Sequence, residues 1–345
     1  RQAFLLLSSS HITPLYKFRS ECCMQIIVYY AKYCKREGKD RFYEELQGKD
    51  DCCGAWLPKS AYFFYGKICT RIGLRKGGPI KVKEEKMDHK EKRRFLIRGL
   101  LDEWPQYKKM AIPEEDEEQR RLLRSLMNIR PPRPVDEGFL KIQDAYLQEE
   151  VEEKGVTDVE SLTPSPSDER LILWRGDITT LRVDGIVNAA NSALRGCFVP
   201  CHSCVDNIIH SVSGIQLRLA CDALMNAQGH DEPIGCAKIT PAFNLPCRYV
   251  LHTVGPIVSG RLTPTHCRQL ADCYRSCLEL ASANGLKSVA FCCISTGEFH
   301  FPQDKAAEIA VRTVKEYLDK DDSIGKVILN VFKEKDYDIY KRLLG

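Results

Sequence analysis

GDITTLRVDGIVNAANSALRGCFVPCHSCVDNIIH, residues 176–210, decides how the rest of the chain is read. It begins where an apolar run, LILWR at 171–175, gives way to Gly176-Asp177-Ile178-Thr179. A second such run, DGIVNAAN at 184–191, stops at Asn188-Ala189-Ala190-Asn191. Both read as buried strands that end in small and polar residues. GCFVPCHSC at 196–204 follows, with three cysteines and a histidine in one short loop, and VDNIIH at 205–210 has a helical pattern.

Downstream, AKITPAF at 237–243, YVLHTVGPI at 249–257, SVAFCCIS at 288–295 and KVILNVF at 326–332 read as further strands. Amphipathic stretches at 214–227, 266–285 and 304–320 alternate with them. That alternation predicts an α/β sandwich with helices on both faces of a largely parallel sheet, whose ligands sit at the carboxyl ends of strands. Upstream, FLIRGLLDEW at 95–104, RRLLRSLMNIR at 120–130 and FLKIQDAYLQEEVEEKG at 139–155 repeat apolar residues at helical spacing. Pro131-Pro132 stops the second and Gly155 caps the third, while TPSPSDE at 163–169 reads as a linker. The mixed-charge run KVKEEKMDHKEKRR at 81–94 reads as a solvated linker or helix face.

The 345 residues carry a net charge of +4, too small for this length to point to nucleic acid or an anionic membrane. No apolar run approaches the roughly 20 residues that span a bilayer, and RQAFLLLSSSHITPL at 1–15 is weaker than a secretory signal. The 17 cysteines are expected to be reduced thiols, which places the chain in the cytoplasm. Cys22, Cys23, Cys34, Cys52, Cys53 and Cys69 form an early group without CxxC spacing, and buried or incidental thiols are the favoured reading there. Residues 1–90 match no pattern and stay an unassigned segment, open between partial disorder and a fusion remnant.

The turn Ser295-Thr296-Gly297-Glu298-Phe299 follows the fifth strand. Small residues and glycine there let backbone N–H groups and a helix dipole face an anion, so STGEFHFP reads as a phosphate cradle before a helix that Pro302 opens. Taken alone, a glycine turn after a strand is more often only a turn. GDIT, NAAN, VDNIIHSVSG and STGEF in this order and spacing, however, resemble the macrodomain family, which binds ADP-ribose. The resemblance covers roughly 165–345 and is greatest to the zinc-containing bacterial-type macrodomains that remove ADP-ribose from proteins. Those proteins also carry a helical N-terminal extension, which residues 91–163 look like.

The resemblance implies a three-layer α/β/α sandwich with a mixed, largely parallel sheet, preceded by a small helical extension: 1–90 unassigned, 91–163 extension, 164–345 zinc-containing macrodomain. It implies that Asp177 accepts from the adenine amino group with the Ile178 backbone beside it. Asn188 and Asn191 would lie near the distal ribose, Ser295, Thr296, Gly297, Glu298 and Phe299 would wrap the diphosphate, and Phe332 would pack on adenine. Without the resemblance, Asp177 reads as a turn cap and Phe332 as core.

Common macrodomains have a Gly-rich loop where this chain has GCFVPCHSC. Thiolate and neutral imidazole are good zinc ligands, and one bent loop can gather Cys197, His202 and Cys204. Cys201 adjoins His202 and points away in an extended segment. The resemblance implies Cys197, His202 and Cys204 as the ligands of Zn2+ and Cys201 as a spectator. Three ligands leave a tetrahedral position open, as in catalytic zinc, and Cys201 as a fourth would close a structural site instead. A redox dithiol lacks a thioredoxin-like context, and His210 reads as a packed helix residue. Asp206 would act as base or hold the ribose, and Asn191 would position its hydroxyls. The expected function is a zinc-dependent hydrolase removing mono-ADP-ribose from modified proteins, through an acyl ester on Asp or Glu. The alternatives are a non-catalytic ADP-ribose-binding module with a structural zinc loop, and a hydrolase of small ADP-ribose esters or phosphates. Expected partners are ADP-ribose and an ADP-ribosylated protein, with no nucleic acid and no membrane.

Overall fold

A computed structural model of the chain describes residues 87–345, and residues 1–86, with the early cysteine group, lie outside the described residues. Helix α1 (His89–Asp102) starts ahead of the apolar repeat at 95–104 because Asp88 and Glu91 form a capping box. Asp88 Oδ1 accepts from the Glu91 N–H, and Glu91 Oε2 from the Asp88 N–H, each at 2.8 Å. The end of the mixed-charge run is therefore the first turn of a helix. α2 (Asp116–Ile129) places Asp116, Glu117 and Glu118 in its first turn, where the helix dipole favours them. α3 (Glu137–Lys154) is capped by Asp136 and ended by Gly155 at φ 84°, a conformation that favours glycine.

The apolar stripes of the three helices meet. Leu96, Ile97, Leu100, Leu101, Leu123, Leu126, Phe139 and Leu147 are all buried in one cluster, and Ile215 joins it from the α/β part. Each such side chain stabilises the fold by about 1.5–3 kcal/mol. From Gly155 the chain enters β1 (Thr157–Asp158), which pairs in parallel with β3 (Leu181–Arg182). The α/β pairing thus begins ahead of the boundary expected at 163–164.

The main sheet holds β2 (Leu171–Arg175), β4 (Gly185–Ala190), β5 (Ala237–Pro241), β6 (Tyr249–Val254), β7 (Ser288–Phe291) and β8 (Lys326–Val331). Their order is β2-β8-β7-β4-β6-β5, and every neighbouring pair is parallel except β5 with β6. Ile186, Val187, Val250, Leu251, Val289, Val327 and Ile328 are completely buried, as strands covered on both faces require. α4 (Val205–Ser213) lies on β4 and α5 (Ile215–Gln228) on β5. α6 (Pro264–Ala283), α7 (Gln303–Leu318) and α8 (Glu334–Leu344) pack in a row, with α8 against β2. This is an α/β sandwich with a mixed, largely parallel sheet, preceded by a helical region. α8 was not anticipated from sequence; it buries Ile339, Tyr340 and Leu344 in a short, highly charged segment. Among the described residues no helix is long and apolar enough to cross a membrane.

One side chain ties the helical region to the sandwich. Arg218 of α5 donates from Nη1 to the carbonyls of Met127, Asn128 and Arg130 at 3.1, 2.7 and 2.6 Å. Its Nε donates to Arg195 O at 2.8 Å and its Nη2 to Cys197 O at 3.3 Å. The first three carbonyls end α2, where a helix leaves its acceptors without partners and its dipole favours a cation. Burial pulls the guanidinium down to about 10, still charged at neutral pH. Replacing Arg218 with Met keeps the volume and strands these acceptors. The unfolding free energy should fall by about 3 kcal/mol in urea titration. Arg218→Lys should recover only a minor part, because one ammonium cannot span the set. An unchanged urea midpoint in Arg218→Met would refute this role.

Candidate active site

Five parallel strands deliver their carboxyl ends to one edge of the sheet. Asn191 follows β4 there, Gly176-Asp177 follows β2, Phe332 follows β8, and Gly255 and the 292–299 segment follow β6 and β7. This is the edge at which open α/β sheets bind ligands.

α4 opens on Cys204, which takes the N-cap position and accepts from the Asn207 N–H at 3.4 Å. Asn207 is fully buried and donates Nδ2 to Val199 O at 2.9 Å and to Cys197 O at 3.4 Å. The loop therefore wraps round one amide. One ligand atom from each of Cys197, His202 and Cys204 then lies within 4.8 Å of the others, and Cys197 Sγ approaches His202 Nδ1 at 3.5 Å. Cys201 turns away at φ 51°, its Sγ 3.2 Å from Ser125 Oγ and donating to Arg121 O at 3.4 Å.

Two sulfurs and an imidazole suit a borderline-soft divalent cation such as zinc. In the protein alone, burial and the neighbouring Cys197 push the Cys204 thiol up to about 12, against the opposing Asn207 N–H. A divalent cation would reverse that balance and hold both sulfurs as thiolates, so the residues fit the group. His202 Nε2 also lies 3.6 Å from Glu298 Oε1, which brings the 295–299 turn up to this hairpin.

Asp206, in the first turn of α4, is only 4% exposed. Its Oδ1 accepts from Asn188 Nδ2 at 2.8 Å and its Oδ2 from Asn191 Nδ2 at 3.4 Å. Burial pushes its carboxyl up to about 6, while the Asn188 hydrogen bond and the Arg218 charge hold it lower. Asn188, expected near the distal ribose, is completely buried and bonded to Asp206. It still belongs to β4 and points into the core, whereas Asn191 lies past the strand's end and is partly exposed. The Asn188 amide also reaches His252 Nδ1 at 3.1 Å, and His252 Nε2 meets Thr240 Oγ1 at 2.9 Å. His210 packs in the same buried region with Nε2 3.6 Å from Asp206 Oδ1.

At the other end of the edge, Asp177 Oδ1 caps the turn Ile178–Thr180, accepting from the Thr179 N–H at 3.0 Å and Thr179 Oγ1 at 2.7 Å. Its Oδ2 lies 3.7 Å from Lys154 Nζ. Capping thus occupies one carboxylate oxygen, while the other forms a partly exposed ion pair with Lys154. Phe332 is 76% exposed, so it is not core. Ser295 adopts φ 64° and buries an Oγ that has no partner. A Cβ at Gly255 would stand 2.0 Å from that Oγ, so only glycine lets the two loops meet. No group among the described residues accepts from the N–H of Gly297, Glu298 or Phe299. Free N–H groups on such a turn form a concavity for an anion.

The geometry meets its counterpart in known proteins. A family model described as Macro domain matches residues 187–310. A protein-ADP-ribose hydrolase from Treponema medium is 56% identical over 261 residues, covering 75% of this chain and 100% of that protein. The chain belongs to the macrodomain family. A protein-ADP-ribose hydrolase from Staphylococcus aureus (strain MSSA476) is 47% identical over 255 residues, 73% of this macrodomain chain and 95% of that protein. A crystal structure of the Trypanosoma brucei macrodomain in complex with ADP-ribose matches with TM-score 0.50 and 31% identity, over 64% of this chain and 95% of that one.

Several site residues of this macrodomain carried no signal in the sequence. Asn207 is hidden inside an ordinary helical motif, and Arg218 and His252 sit within an amphipathic helix and an apolar strand. Gly255, directly after β6, could have been found as a glycine at a strand end. His252 gives a pH test. Burial pulls its imidazole down to about 3, against about 6.5 in an unfolded chain. The unfolded state therefore binds the proton more readily, and stability falls as pH drops below about 6.5. Between pH 7 and pH 5 the loss should be about 2 kcal/mol. Urea unfolding at both pH values should show a fall in wild type that exceeds the fall in His252→Gln by about that amount, a difference in which the opposite contribution of Asp206 and that of the buried His210 cancel. Equal slopes would mean that His252 is not held neutral.

Proposed function

We propose that this macrodomain is a zinc-dependent hydrolase that removes mono-ADP-ribose from modified proteins, with an acyl ester on Asp or Glu as the linkage. The observation that carries the reading is a Cys-His-Cys set gathered within 4.8 Å at the start of the helix that presents Asp206. The names of the Treponema and Staphylococcus relatives, and the ADP-ribose held by the Trypanosoma macrodomain, support it. The free thiols at every cysteine from Cys197 onward support a reducing, cytoplasmic setting as part of the same proposal.

The nucleotide would lie along the carboxyl edge. Asp177 Oδ2 accepts from the adenine amino group beside the Ile178 backbone, the exposed Phe332 ring covers the adenine, and the N–H groups of Gly297, Glu298 and Phe299 take the diphosphate. The distal ribose then reaches Asn191 and the hairpin. Zinc held by Cys197, His202 and Cys204 supplies Lewis acidity at that sugar when bound. Asp206 takes the proton from a water that attacks the anomeric carbon. The bond from that carbon to the ester oxygen breaks, the carboxylate leaves with the electron pair, and ADP-ribose and a restored side-chain acid result. A carboxyl near 6 is mostly ionised at pH 7 yet still basic enough for this step. Asn188 and Asn191 hold it in place.

Cys204→Ala should lose the bound zinc and about 10²-fold in turnover, while its dissociation constant for ADP-ribose changes by less than about threefold. Metal analysis, release of ADP-ribose from an ester-modified protein and calorimetry check the three parts. Asp206→Asn should keep the zinc and lower kcat by about 10²–10⁴-fold. Metal-loaded wild type that binds ADP-ribose yet releases none from any modified protein would leave a binding module with a structural zinc loop.

A further inference from the structure

α2 has two working faces. Leu123, Leu126 and Met127 face the core of the helical extension. On the other side the Arg124, Ser125 and Asn128 side chains, with the Arg121 carbonyl, all meet the hairpin at 197–204 or the start of α4. Arg124 Nη2 donates to His202 O at 2.7 Å and to Asn207 Oδ1 at 2.8 Å. Asn128 Oδ1 accepts from the Cys201 N–H at 2.9 Å, and its Nδ2 donates to Ser211 Oγ at 2.9 Å.

The hairpin has no strand ladder, and Cys201 sits in a left-handed conformation, so its shape must be imposed from outside. Arg124 does this in two ways. It holds the carbonyl of His202 directly. It also needs an acceptor, so it fixes which end of the Asn207 amide faces it. The opposite end is then bound to donate to Val199 O and Cys197 O. Two of the three proposed ligand residues are thereby set by one guanidinium that belongs to the extension. We propose that α2 is a positioning element for the metal-ligand hairpin, with Arg124 and Asn128 as the residues that preform it. The metal part of this rests on the zinc reading above; the preformed hairpin does not.

The test uses the whole chain, with zinc alone as the probe, and amide hydrogen exchange over 197–204 in the metal-free protein. Arg124→Met and Asn128→Ala should raise the zinc dissociation constant about 10–100-fold, as loss of outer-shell partners does, and speed hairpin exchange. Leu123→Ala, on the opposite face of the same helix, should lower stability more and leave both readouts near wild type. Should Arg124→Met fail to fold, Arg124→Lys takes its place. It keeps the charge but cannot reach both acceptors, and should shift both readouts in the same direction. Unchanged zinc affinity and exchange in the Arg124 and Asn128 variants would overturn the proposal. So would equal shifts in Leu123→Ala, which would reduce α2 to general support. If wild type binds no zinc, the zinc reading falls, and exchange in the variants still decides whether α2 preforms the hairpin.

Discussion

The structure turns on a buried guanidinium. A helix that ends inside a protein leaves carbonyls that must be satisfied, and the negative end of its dipole makes a cation the best partner. α2 ends in this way, and Arg218 supplies the charge. The same side chain also holds the carbonyls of Arg195 and Cys197, which frame the start of the Cys-His-Cys hairpin. The Phe198 ring lies 4.1 Å from the guanidinium carbon and screens it from water on the open side. Helical extension, sandwich and hairpin therefore meet at one point, and none of the three can shift without stranding charge or acceptors in a dry interior.

Beneath the hairpin, polarity is buried in an ordered way. Asn188 divides its amide between Asp206 and His252, and His252 passes the network on to Thr240. Burial away from water keeps both imbalances in place: a carboxyl with a raised proton affinity and imidazoles that stay neutral. Five of the six strands release their chain on the same side, which brings Asn191 and, through the loop that follows it, Asp206 to that edge.

Six strands and the helices between them were legible because a doubly covered sheet demands unbroken apolar runs, and these stand out against amphipathic helices. The gathering of Cys197, His202 and Cys204 was legible because one short bent loop carries all three. Less visible were α8, whose apolar positions are few among many charges, and the true start of α1, which depends on a capping box rather than on periodicity. Asn188 and Asn191 are likewise told apart only by where the strand ends. NAAN reads as one polar motif, but its first asparagine is still in the strand and its last is beyond it, so they face different surroundings. Arg124, Asn128 and Arg218 carried no local signal, since their partners lie about 80 residues away in sequence or belong to the backbone.

The distance in sequence between α2 and the hairpin has a consequence for biosynthesis. A ribosome releases the helical extension first, the cysteine-bearing loop later, and the arginine that binds both together later still. When the loop emerges, the residues of α2 have already been made, but the arginine that joins the two has not. Cys197, His202 and Cys204 are all in hand by residue 204, yet the loop that carries them gains its Arg218 contact only after the chain has grown past residue 218.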